Sequence, residues 1–295
     1  MSLARQLGHG PDERLLIINA DDYGMCHAAN TGITSLLEAR AVSSATVMLP
    51  CAWAPDAIAR AKAGGFDAGV HLTFTSEWQD YRWGPVAKDR PVPTLVDDAG
   101  FFPRDPRAVE ENADAEDVRT EILAQLSRAT ALGLDPSHLD NHMVSLHGLH
   151  TGRHFLDVVL DVCADRGLPF RLPRSPEGFG LPAAARPLHE EAVRLADAAG
   201  VVLPDHLRGL PFHRTEGETY ESFRESFITM IRTLAPGVTE VFLHPFSDTA
   251  ELRAITPEHT KRAWELRVLT DPEAQSALRD VTLIGWSRLR DVQRA

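Results

Sequence analysis

Cysteine is scarce, with only Cys26, Cys51 and Cys163 in a chain of 295 residues. An odd number, widely spaced and with no CxxC pair, offers neither a disulfide framework nor a cysteine-rich zinc site, so reduced thiols are expected. Positive charge is short as well. Against 42 Asp and Glu there are 30 Lys and Arg, a formal charge of −12, and no basic run interrupts the deficit. The clustered cations that bind nucleic-acid phosphates are therefore missing, and nucleic acid is not expected as a partner. A neutral or cationic ligand suits the average field better than an anion. No apolar stretch reaches the roughly 18 to 20 residues that a membrane helix needs. The opening residues MSLARQLGHGPDE have no apolar secretion core, so a cytoplasmic protein without a membrane partner is expected. Internal repeats and low-complexity linkers are absent too.

What is present is an ordinary globular balance, 43% hydrophobic and 24% charged, enough to build a core. The length exceeds the usual domain, but barrels of alternating strands and helices run to this size as one unit. A single catalytic barrel domain over 1–295 is the expectation. The apolar run LLIINA at 15–20 suits a strand buried on both faces. A helix follows over 27–40, with Ile33, Leu36 and Leu37 on one side, then a strand over 41–49 rich in small and β-branched residues. The pattern recurs: helix 55–63, strand 65–74, helix 115–132 ending at Gly133, strand or strand end 138–146, helix 154–166, strand 169–172. Helix 220–234, strand 238–243, helix 259–269 and strand 281–284 complete it. About seven strands alternating with helices imply parallel pairing through crossover helices. The fold class is α/β, a TIM-like (β/α) barrel with fewer than eight regular strands. The segment 76–106, long for a connection, reads as a functional loop over the mouth.

The acids and imidazoles of interest fall at strand ends: Asp21 and Asp22 after LLIINA, His71 in GVHLT, His138 to His142 in HLDNH, and His244 after VTEVFL. In a parallel barrel these ends share one mouth. Imidazoles and a carboxylate there form an open-sided metal site that can activate water against a carbonyl. If Asp22 holds the cation, Asp21 is free as general base, provided a turn aims both neighbours at one cavity; Tyr23-Gly24 can supply it. Each group alone has a plainer explanation. The Asp pair could cap the following helix, His71 could be a core histidine, and His244 before Pro245 could be a turn residue. Trp78, Tyr81 and Trp83 in the long loop read as a stacking wall for a sugar ring. Arg171 and Arg174 could orient Asp21 or the substrate, or lie on the surface. Asp140 is placed to orient a ligand histidine.

NADDYG at 19–24, GVHLT at 69–73, SHLDNH at 137–142 and LHP at 243–245, in this order and spacing, resemble the YdjC-like family of carbohydrate deacetylases. That family includes chitooligosaccharide and hopanoid-associated deacetylases and is distantly related to NodB-type polysaccharide deacetylases. The resemblance implies a barrel and hydrolysis of an N-acetyl group on an amino sugar with one divalent metal ion. It implies Asp22, His71 and His142 as metal ligands, Asp21 as base, and His244 as general acid or holder of the acetyl group. His138 joins Asp140 behind the ligands. Magnesium follows from the resemblance, zinc or another transition ion from the donors. The chain departs from chitooligosaccharide deacetylases where their histidine-rich run gives way to Met143, Val144, Ser145 and Leu146, which leaves the sugar open.

Four alternatives stay open. His138 could replace His71 on the metal, as in NodB-type enzymes. The substrate amide could belong to a non-sugar. Two histidines and a carboxylate also describe an iron oxygenase, and a sugar-binding protein could keep the pocket without turnover. A small-molecule carbohydrate is the expected partner, and a homodimer is admitted.

Overall fold

The apolar run at 15–20 forms the middle of a long strand, β1 (Arg14–Tyr23), in a computed structural model that describes residues 2–178 and 180–295. The other strands are β2 (Ser44–Val47), β3 (Ala68–Leu72), β4 (Leu139–Asn141), β5 (His206–Arg208), β6 (Gly237–Leu243) and β7 (Thr282–Leu283). They form one sheet in the order β4-β3-β2-β1-β6-β5, every pair parallel. β1 is long enough to take two neighbours on one edge: β7 beside Leu15 and Leu16, then β2 beside Asn19 and Ala20.

Between β4 and β5 the wall continues through irregular chain. Leu139 donates to the Pro169 carbonyl and accepts from Arg171 N, both at 3.0 Å. Arg174 N and Ser175 N donate to Pro204 and Asp205, and Asp205 N donates onward to Val238, all at 2.9 Å. The strand expected at 169–172 shrinks to a single bridge, Leu139 to Phe170, because Pro169 and Pro173 cannot donate to a ladder. The result is a curled α/β barrel with helices outside and fewer than eight regular strands, as the alternation predicts.

Alternation along β1 divides the core. Leu16, Ile18 and Ala20 pack outward against the helices, while Leu15 and Ile17 join Val238, Leu3, Leu7, Trp286 and Leu289 in a separate cluster. That cluster plugs the barrel floor. Above it the lining is polar: Asn19, Thr46, His71, Asp140 and Glu240 are all buried. Such a lining is stable only where its members are paired.

Three boundaries bear on the mouth. β1 runs on through Asp21 and Asp22 to Tyr23, with its register to β2 slipping between Ala20 and Tyr23. The strand expected over 138–146 stops at Asn141, because Met143 and Val144 turn the chain at φ 53° and 48°, a conformation that a β-branched valine rarely adopts. The 76–106 segment is fastened down. On helix Ala115–Ala131, Glu121 accepts from Val86 N and Ala87 N, both at 2.9 Å, and Asp117 accepts from Thr94 N at 3.1 Å and Thr94 Oγ1 at 2.7 Å. Ser76 N bonds to the Pro103 carbonyl, so both ends of the loop meet.

Candidate metal centre

Neighbouring residues on a regular strand point to opposite faces, so two aspartates can serve one cavity only if the strand is interrupted between them. Asn19 and Asp21 do share a face, with Asn19 Nδ2 donating to Asp21 Oδ1 at 2.8 Å. Asp22 then takes φ 64°, a left-handed conformation that Asp tolerates better than most residues. This bulge, rather than the turn alone, swings Asp22 into the same cavity. The expected turn follows at Gly24, φ 90°, where a Cβ would lie 2.8 Å from Ala54 Cα. Neither acid caps the helix beyond: Cys26 Sγ accepts from Ala29 N instead.

Asp22 Oδ1 lies 3.2 Å from His71 Nε2 and 3.2 Å from His142 Nδ1. All three side chains are buried, and their ligand atoms fall within 4.8 Å of one another. Asp22 Oδ1 has no well-aligned hydrogen-bond partner among the described residues. A buried carboxylate oxygen left in this way, facing two imidazole nitrogens, is what a cation would satisfy. Donor set and geometry therefore fit one divalent ion.

Each histidine is fixed from behind. His71 Nδ1 lies 2.6 Å from Asp140 Oδ1, and Thr46 Oγ1 donates to Asp140 Oδ2 at 2.9 Å. With Nδ1–H donated to Asp140, Nε2 is the nitrogen that faces Asp22, where a cation would take the place of its proton. His142 is held in the opposite sense, Nε2 lying 3.1 Å from Glu77 Oε2. Burial disfavours the charged imidazole in both, but Asp140 raises His71 to about 9, and Glu77 and Asp22 raise His142 well above the ordinary range.

Asp21 is gripped by Arg171, Nη1 to Oδ2 at 2.6 Å and Nη2 to Oδ1 at 2.7 Å. Burial would raise its carboxyl, but Arg171 outweighs this and brings it to about 2. Arg171 Nη2 also meets Asp140 Oδ2 at 2.9 Å and Glu240 Oε1 at 2.8 Å. Glu240 is raised to about 7 by burial, against the pull of Arg171.

His244 follows Leu243, whose register partner is Ala20, and so stands beside Asp21 at the rim. Its backbone N donates to Glu265 Oε2 at 2.6 Å. Burial and the Arg262 guanidinium lower its imidazole to about 4, leaving it neutral near pH 7.

Other candidates sit elsewhere. His138 lies below the site, stacked on Trp286 at 4.4 Å with Nδ1 on Ser137 Oγ at 2.9 Å. Gly69 makes room for it, since a Cβ there would come within 2.5 Å of its ring. It is absent from the grouped ligand atoms, against the NodB-type alternative. Arg174, for which the sequence leaves both a site role and a surface role open, lies at the surface, pairing with Asp197 at 2.7 Å with its side chain more than a third exposed. Trp83 is corrected from stacking face to wall, being buried with Nε1 donating to the Thr75 carbonyl at 2.7 Å. It backs His142 edge-on at 6.3 Å. Trp78 and Tyr81 are half-buried, Tyr81 Oη donating to the Met25 carbonyl at 2.6 Å.

Glu77 and Glu240 escape the sequence reading. Glu240 leaves a trace, since a charge inside VTEVFL is out of place in a parallel strand buried on both sides. Glu77 leaves none, standing in aperiodic loop 65 residues from its partner.

Residues 15–280 match the model of the YdjC-like protein family. The carbohydrate deacetylase of Thermus thermophilus is 31% identical over 291 residues, 99% of this chain and 99% of the relative. That of Geobacillus stearothermophilus is 31% identical over 277 residues, 92% and 97% of the two chains. Among solved structures, an Enterococcus faecalis V583 protein named for cellobiose-phosphate cleavage superposes with a TM-score of 0.74 at 26% identity, covering 93% of this chain and 98% of that one.

Proposed function

This chain belongs to the YdjC-like protein family, and from that premise we propose that it is a metal-dependent hydrolase removing an N-acetyl group from an amino sugar or related carbohydrate. The observation that carries this is the buried triangle of Asp22, His71 and His142, with Asp21 one residue from the first ligand. Full-length relatives named carbohydrate deacetylase support the acyl chemistry.

Asp22, His71 and His142 would hold a divalent cation, which would supply Lewis-acid polarisation of the amide carbonyl and lower the pKa of a water in the same cavity. Asp21, ionised at every working pH, takes a proton from that water. Arg171 holds the carboxylate still for the transfer. His244, a neutral imidazole at the rim, donates a hydrogen bond to the acyl oxygen, and the proton gained by Asp21 passes to the departing amine. Two imidazoles and one carboxylate favour zinc or another transition ion over magnesium, which prefers oxygen donors. Three buried, unpaired thiols suit a reducing compartment, and we place the protein in the cytoplasm.

Acetate release from a panel of N-acetylated mono- and oligosaccharides, run with zinc and with magnesium, tests the assignment. Turnover is expected for at least one sugar and is lost in Asp21→Asn and His142→Ala. Wild-type rates in either variant would overturn the roles given, and acetate from no sugar with any ion would overturn the activity.

A further inference from the structure

Each imidazole in the Asp22 triangle needs one nitrogen protonated and turned away and the other bare and turned inward. Asp140 does this for His71. For His142, the chain just beyond the ligand is strained, Met143 and Val144 both lying at positive φ, and the backbone does not itself choose which ring nitrogen carries the proton. The group that meets its outer nitrogen is Glu77, at 3.1 Å.

Glu77 is not a casual surface neighbour. Its side chain is 15% exposed, and the residue before it is anchored on three sides: Ser76 N to the Pro103 carbonyl at 2.8 Å, with Arg82 Nε and Trp83 N donating to Ser76 Oγ at 3.2 and 2.9 Å. Trp83 in turn backs the His142 ring. The loop therefore presents a carboxylate at a fixed point over a metal ligand. We infer that Glu77 is a positioning residue for the metal centre, accepting Nε2–H of His142 so that Nδ1 faces the ion, and that the long loop is thereby part of the metal site. This rests on the ligand set proposed above.

The test is zinc affinity of the metal-free protein, measured by competition with a chromogenic chelator. Loss of a carboxylate behind a ligating histidine typically weakens affinity by about 10- to 100-fold. That loss is expected in Glu77→Ala and also in Glu77→Asp, which keeps the charge but falls a methylene short. Glu77→Gln, whose amide oxygen can still accept, should recover most of it. Wild-type affinity in the Ala variant overturns the inference. So does full affinity in the Asp variant, or no recovery in the Gln variant, since either makes charge and not the hydrogen bond the cause. Should the Ala variant fail to fold by circular dichroism, the Asp and Gln pair decides. His142→Ala serves as control: if it binds zinc normally the ligand set itself is wrong, whereas loss there with no effect at Glu77 removes this inference alone.

Discussion

Arg171 and Asp21 form a two-pronged ion pair, at 2.6 and 2.7 Å, inside the barrel mouth. The same guanidinium reaches Asp140, which orients His71, and Glu240 on the floor side. One cation thus ties the proposed base, the support of a metal ligand and a buried acid into a single network.

Removing that cation leaves three carboxylates without their common partner. Arg171→Ala should lower unfolding free energy by about 3 to 5 kcal/mol, the cost of breaking a buried pair, as read by urea denaturation. Arg171→Lys keeps the charge but not the fork, so turnover should fall at least tenfold while zinc content stays near wild type. A lysine variant as active as wild type would show that the two-pronged geometry is unimportant.

Asp21→Asn separates base from ligand. Turnover should drop by about 10²- to 10⁴-fold with zinc affinity little changed, whereas Asp22→Asn should lose both. If zinc affinity collapses equally in the two variants, the division of labour between the neighbours is wrong.

Chelation should stop turnover and lower the melting temperature together. With an ion at 100 times its dissociation constant the bound form gains about 2.7 kcal/mol, worth several degrees in a chain of this size. Scanning calorimetry before and after chelator, then with zinc restored, checks this; an unchanged melting temperature would argue against an ion in the buried triangle.

Glu240 gives stability a pH dependence of definite sign. Its carboxyl is raised from 4.5 to about 7 in the folded chain, so between those values the folded state binds more protons than the unfolded one. Stability from this group is therefore present at low pH and lost as pH rises toward 7. The fall is bounded at on the order of 3 kcal/mol, since each tenfold change in proton affinity is worth about 1.4 kcal/mol. Glu240→Gln should flatten it in urea titrations from pH 5 to 8, and a variant with the wild-type slope would remove Glu240 as its source.

Glu121 pins the long loop by accepting from the backbone N–H groups of Val86 and Ala87, and is itself held by Gln125 one turn along the same helix. Glu121→Ala should cost about 1 to 3 kcal/mol by leaving those donors unpaired and should speed proteolysis between 84 and 100. Equal cleavage rates would mean that the loop opens independently of this anchor.

Why the sequence yields some of this and not the rest is visible residue by residue. Asp22, His71 and His142 each sit against an apolar run that announces a strand, and parallel strands end at one mouth, so their convergence follows from topology. Arg171 and Arg174 lie three apart in a stretch broken by Pro169 and Pro173, where no period says which faces inward; one joined the network and one the surface. Trp83 looked like a stacking face because a polar loop surrounds it, yet its indole is held by Thr75. The bulge at Asp22 has no signature in the letters DD, and the Glu77 contact depends on where the long 76–106 loop comes to rest.

The left-handed turn at Asp22 makes the register of β1 a condition of chemistry as well as of packing. Shifting the strand back by one residue against β6 would carry Asp21 through the barrel wall among the apolar helices and bring Asp22 to Arg171, away from His71 and His142. A one-residue deletion between Leu15 and Ala20 is thus a sharper probe than any point change: the chain would have to surrender either its ion or its base, with no single side chain altered.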